Sequence, residues 1–239
     1  MKSILFIRKY PTCLACGRAE GLKKSFNSVF GNGQTEVIRW HKVIFFFPGY
    51  GNHIRRIPDD IVRGINSGEI SDIVDFGAGG ALNPALKVGD LFLSEGEVCC
   101  NGSELLTKTR PATEQIVRRM ARDLGRNFHK GKILTADKIV SSRSERLKYF
   151  EELNAGVVQM EHYWFVDMLK RIVDPKAFED LHFTHIELVA DEVPKDSAFL
   201  LEGIIAFFRA LVMCVFRNDY YLGRLKVRFL SDFLSDTKP

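Results

Sequence analysis

The chain has 239 residues, 46% of them hydrophobic, enough for a substantial core and close to the size at which one core stops growing, so a single domain over 1–239 is expected. Its 34 Lys and Arg against 30 Asp and Glu leave a net charge of +4 spread along the chain, which excludes a polybasic tail, and no nucleic-acid partner is expected. With 11% aromatics and no low-complexity tract, long disorder is excluded too.

In chain order, Ile4-Leu5-Phe6-Ile7 is a short β-rich run followed at once by Arg8 and Lys9, too short for the apolar centre of an export signal. Cys13-Leu14-Ala15-Cys16 forms a C-x-x-C, which invites a zinc or thiol-disulfide use. A zinc site needs further ligands, and the adjacent Cys99-Cys100 have the wrong spacing to supply them, so neither a metal nor a cofactor is expected. Five cysteines without an export signal point to reduced thiols and a cytoplasmic location. Residues 43–47 are β-rich, and between 58 and 66 Ile61, Val62 and Ile65 share one helical face. Ile73-Val74-Asp75-Phe76 is a further β-run that ends in glycine. Helices are predicted over 113–124, 144–153 and 162–172, and strands over 132–134, 156–159 and 183–189. A long apolar helix is predicted over 197–216, where Glu202 and Arg209 interrupt the ~20 apolar residues a membrane span requires. It is read as a buried or interface helix. Strands and helices alternate, which predicts an α/β protein: a three-layer α/β/α sandwich around a mixed, mainly parallel twisted sheet, with ligands beyond the strand carboxyl ends.

Unusual residues stand at several of those ends. Asp75-Phe76-Gly77-Ala78-Gly79-Gly80-Ala81-Leu82-Asn83-Pro84 runs on into Ala85-Leu86-Lys87-Val88-Gly89-Asp90. Glycines directly after a strand let backbone N–H groups approach an anion or a sugar hydroxyl; alone they equally make a tight turn. Met160-Glu161 follows a β-run, where a carboxylate can accept from two sugar hydroxyls and a thioether can pack on the sugar. The plainer alternative is a core Met and a helix-start Glu. Asp191 ends the late strand, as a proton donor or as a cap or surface partner of Lys195.

The glycine segment resembles that of the nucleoside phosphorylase superfamily, above all the methylthioadenosine and adenosylhomocysteine nucleosidases, whose form is close to N-T-G-S-A-G-G-L-x-P-x-L-K-V-G-D; it is also similar to hopanoid-associated phosphorylases. Phe47-Pro48-Gly49-Tyr50-Gly51-Asn52 resembles the family's earlier G-x-G, Met160-Glu161 its M-E pair at the ribose, and Ile186-Glu187-Leu188-Val189-Ala190-Asp191 its R-x-x-S-D with the catalytic acid. Leu134-Thr135-Ala136-Asp137-Lys138-Ile139-Val140 is similar to the S-G-D-x-F segment along the base, with Ile139 in place of the stacking aromatic. The likeness spans roughly 43 to 200.

The resemblance implies cleavage of the N-ribosidic bond of a purine nucleoside in a homo-oligomer: Asp191 as acid toward the leaving base, Glu161 on the ribose hydroxyls, Met160 packed on the sugar, Ile139 and Val140 along the base, and Gly77, Ala78 and Gly79 on the nucleophile side. The departures matter equally. The first strand offers no carboxylate to activate water, Ala78 and Asp75 replace the family's phosphate ligands, and Ala190 and Glu187 replace its Ser and Arg. Arg8, Gly49 and Gly51 are candidate anion contacts, with Arg55 and Arg56 nearby. Water is slightly favoured over phosphate as acceptor; a phosphorylase and a non-catalytic nucleoside binder of the same fold are the alternatives.

Overall fold

The computed structural model describes residues 3–7, 36–40, 43–47, 57–194, 225 and 228–233. The strands β1 (Ser3–Ile7), β2 (Glu36–Trp40) and β3 (Val43–Phe47) come first. Helix α1 (Asp59–Asn66) begins after Pro58 with Asp59 and Asp60 in its first turn, where carboxylates meet the positive helix end, and buries Ile61, Gly64 and Ile65. Strands β4 (Ile70–Ala81), β5 (Leu91–Cys99) and β6 (Glu104–Leu106) follow, then α2 (Pro111–Asp123), whose first-turn proline needs no N–H partner. Next come β7 (Phe128–Thr135), α3 (Arg143–Leu153), β8 (Ala155–Gln159), α4 (His162–Ile172), α5 (Pro175–Glu179) and β9 (His182–Asp191). The Ser142 side chain caps α3 by accepting from the Glu145 N–H, and Asn154 ends it in the left-handed conformation at φ 52°. The predicted helix over 197–216 lies outside the described residues. Among the described residues no helix is long and apolar enough to cross a membrane.

The sheet is mixed, as expected, but its pairing departs from an open sandwich. Along one edge of β4, residues 70–75 run parallel to β1 and Gly80 and Ala81 pair antiparallel with β8; along the other edge, residues 72–80 pair with β9. Strand β5 pairs with β7 along its length and with β9 over Leu91–Leu93, and β7 pairs with β8. The strands β4, β9, β5, β7 and β8 therefore close a ring, while β1, β3 and β2 extend the sheet from the early half of β4. The physical reason is β4 itself. Twelve residues long, it outruns β1, which pairs only as far as Asp75, so its glycine-rich end is left to pair with β8 on that edge, while its register against β9 shifts between Gly79 and Gly80.

Side chains sort by the two-residue strand period. Val74 and Phe76 of β4, Leu91 and Leu93 of β5, and Ile186 and Leu188 of β9 pack outward against Ile116, Val117 and Met120 of α2 and against Leu225, Phe229 and Phe233. A second apolar group joins Leu5, Ile73 and Phe183 to α1 and α4. Ala81, Phe92, Ile133, Val157 and Val189, one from each strand of the ring, pack together and fill one end of its interior. The other end of that interior is polar.

Candidate active site

The glycine segment is strand rather than loop: Gly77, Ala78, Gly79 and Gly80 all lie within β4. A methyl group at Gly77 would stand 2.7 and 2.8 Å from the carboxylate oxygens of Glu187; at Gly79 it would stand 2.5 Å from the Val157 side chain, and at Gly80 2.6 Å from Asp191 Oδ1. The missing Cβ atoms thus seat two carboxylates and one cross-strand valine. Ala78 faces the other way and packs against the outer apolar cluster. The end of the same motif is structural: Asp90 is buried and accepts from the N–H groups of Lys87 and Asn127, with His129 Nε2 at 3.1 Å.

Asp191 ends β9 with its side chain one-third exposed. Its Oδ2 accepts from Arg146 Nη2 of α3 at 2.5 Å; Lys195 and the helix start near Ser197, the plainer partners weighed for it, lie outside the described residues. Arg146 is itself buried and also donates to the carbonyls of Val140, Ala81 and Glu192, at 2.9, 3.2 and 3.1 Å. One guanidinium thereby ties the segment after β7, the end of β4 and the end of β9. Sequence reasoning missed it; its only signal was a position in a weakly amphipathic helix just after the Thr135–Val140 stretch.

Gly80 of β4 has Val158 beside it on one edge and Asp191 on the other. The strand that leads into Met160-Glu161 and the strand end that carries Asp191 are thus about two inter-strand spacings apart, ~10 Å. Glu161 is buried at the N-terminus of α4 and Met160 is half-buried. Their turn is clamped from behind. The Gln159 side chain accepts from the N–H groups of Glu161 and His162, at 2.6 and 3.1 Å, and donates to the Thr135 hydroxyl at the end of β7. Val140 is buried, whereas Ile139 is 66% exposed. Arg146 draws the chain in at the Val140 carbonyl and leaves its neighbour Ile139 on the surface. Arg8, Gly49, Gly51, Arg55, Arg56, Cys13 and Cys16 lie outside the described residues.

The polar end of the ring interior holds a group that the sequence did not reveal as one. Asp75, Glu97, His162, His185 and Glu187 are all buried, at 0–1% exposure. His185 stands between two carboxylates, Nδ1 2.8 Å from Glu97 Oε1 and Nε2 2.7 Å from Glu187 Oε1. His162 Nδ1 is 2.9 Å from Asp75 Oδ2, and the two imidazoles stack with centroids 4.1 Å apart. Burial holds His162 below its ordinary pKa, and the adjacent His185 pushes it the same way, against the pull of Glu97 and Asp75. Glu187, expected to matter only as the replacement of an arginine, thus belongs to this cluster and not to Asp191. The signal in the sequence was a set of ionisable residues interrupting strands that otherwise read as apolar.

Residues 61–168 match the family model of the phosphorylase superfamily. Among solved structures, the chain is similar to futalosine hydrolase of Helicobacter pylori strain 26695, at 13% identity over 99% of both chains with a TM-score of 0.62. It is equally similar to a 5′-methylthioadenosine/S-adenosylhomocysteine nucleosidase from Helicobacter pylori with butyl-thio-DADMe-Immucillin-A, at 13% identity over 99% of both chains and a TM-score of 0.62. The Campylobacter jejuni enzyme of the latter name shares 15% identity over 90% of this chain and 99% of its own, with a TM-score of 0.55. At such identities the likeness is one of fold. None of the curated proteins matches the chain.

Proposed function

We propose that this chain, whose residues 61–168 match the family model of the phosphorylase superfamily, cleaves the N-ribosidic bond of a purine nucleoside. The observation that carries the proposal is the register at Gly80, with the β8 strand leading to Met160-Glu161 on one side and Asp191 on the other. Breaking that bond leaves positive charge on the sugar and negative charge on the base. Asp191 delivers a proton to the departing purine, and Arg146, bonded to its Oδ2, orients the carboxyl and steadies the carboxylate left behind. Glu161, held by the Gln159 clamp, accepts from the ribose hydroxyls, and Met160 packs on the sugar. The electrophilic sugar then takes a water, for which little base assistance is needed. Transfer to phosphate, held by Arg8, Gly49 and Gly51, is the second reading.

The test is incubation of the pure chain with adenosine, inosine, methylthioadenosine and adenosylhomocysteine, with and without phosphate, while free base is followed. Release without phosphate supports the hydrolase, and release only with phosphate selects the phosphorylase. Absence of release from all four alongside tight nucleoside binding would make the chain a binding protein. Asp191→Asn is expected to lose roughly 100-fold or more in rate, the usual size of general-acid catalysis.

A further inference from the structure

We propose that Asp75, His162 and His185 form a buried site for a divalent transition-metal ion such as zinc at the polar end of the strand ring. Their donor atoms all lie within 4.8 Å of one another. Asp75 Oδ2 is 2.9 Å from His162 Nδ1 and 3.8 Å from His185 Nε2, spacings that bracket the ~3.3 Å separating ligands bound at ~2.0–2.1 Å around a tetrahedral ion. Two imidazoles with a carboxylate suit zinc or another first-row dication and disfavour magnesium and calcium, which take oxygen. This departs from the sequence expectation of no metal, which weighed only cysteines.

The carboxylates placed around the two imidazoles favour the same assignment. Glu97 Oε1 accepts from the Ser94 hydroxyl at 2.8 Å and lies 2.8 Å from His185 Nδ1. His185 Nε2 faces two further carboxylate oxygens, Glu187 Oε1 at 2.7 Å and Asp75 Oδ2 at 3.8 Å. Glu97 also lies 4.0 Å from His162 Nε2, so one carboxylate stands behind both imidazoles, as the outer carboxylates of metal-bound histidines do.

An independent sign is the state of two atoms. Among the described residues, His162 Nε2 and Glu97 Oε2 are buried without a hydrogen-bond partner. A buried carboxylate oxygen without a partner costs free energy, which a dication in this cluster offsets. Gly77 completes the seat, since only a residue without Cβ leaves room for the Glu187 carboxylate beside His185. On binding, a proton held at a ligating nitrogen leaves to solvent and the nitrogen lone pair bonds the metal.

The experiment is independent of the nucleosidase proposal. The full chain is purified without chelator and without a histidine tag, and its metal is measured by mass spectrometry, before and after refolding with zinc. About one equivalent per chain is expected, with a tetrahedral visible spectrum after cobalt substitution and proton release on loading. Asp75→Asn combined with His162→Gln should abolish it, and Cys13→Ser with Cys16→Ser should leave it intact. Glu97→Gln should weaken affinity ~10–100-fold while retaining the cobalt spectrum. Below about 0.1 equivalent in wild-type protein both as purified and after refolding with zinc, or metal that vanishes with the cysteines alone, would overturn the site.

Discussion

Arg146 and Asp191 meet as an ion pair across 45 residues of sequence, Nη2 to Oδ2 at 2.5 Å, with the guanidinium 6% and the carboxylate 33% exposed. The arginine is the more constrained partner, because its remaining donors satisfy three backbone carbonyls from three segments. That asymmetry separates stability from chemistry.

Arg146→Met is expected to lower unfolding free energy by about 2–3 kcal/mol, since it leaves buried carbonyls without donors, and urea denaturation measures it. Asp191→Asn removes a half-exposed charge but keeps a side chain of the same size, so it should cost less stability while abolishing most of the proposed activity. Equal stability losses in the two variants would contradict this division.

Gly80→Ala places a methyl group 2.6 Å from Asp191 Oδ1 and 3.4 Å from both Arg146 terminal nitrogens. The Asp191 side chain is the movable neighbour, so the substitution should displace it, costing about 1–3 kcal/mol and a disproportionate part of the turnover. A variant with unchanged kcat and thermal midpoint would show that Asp191 moves aside freely.

Phe92 fills the apolar end of the ring so closely that a Cβ at Gly156 would lie 2.5 Å from its ring and one at Gly131 3.1 Å. Phe92→Ala should cost about 3–5 kcal/mol by emptying that end, and Gly156→Ala should destabilise by overpacking it. Chemical denaturation of both variants and of Phe92→Ala combined with Gly156→Ala checks the idea: the double variant should recover part of the loss.

His182, half-buried at the start of β9, is held below its ordinary pKa first by burial and then by the Arg110 cation, with Lys108 adding to the effect and Asp72 opposing it. An unfolded histidine titrates near ~6.5. Below that pH the unfolded chain binds a proton that the folded chain resists, so this contribution is complete above ~6.5 and is lost as the pH falls toward the folded value. His182→Gln should therefore lose less thermal stability between pH 7 and pH 5 than the wild-type chain. Parallel midpoint curves for the two proteins would refute the assignment.

Local periodicity was legible along the chain. Alternating apolar residues announced β4, β8 and β9, helical spacing announced α1, α2 and α4, and Met160, Glu161 and Asp191 stand at strand ends because those runs stop there. What stayed hidden was every relationship between distant segments. His162 and Asp75 are 87 positions apart, His185 and Glu97 88, and none of these four residues announces its partner, since an ionisable group inside an apolar run reads the same whether it turns to solvent or to a closed interior. The ring makes the difference: once β4 pairs with both β8 and β9, the alternation that puts Val74 and Phe76 outside puts Asp75 and Gly77 inside, and the inward charges of several strands meet. Strand pattern is a property of neighbouring residues, whereas ring closure and the burial it enforces arise from pairings between segments far apart in the chain.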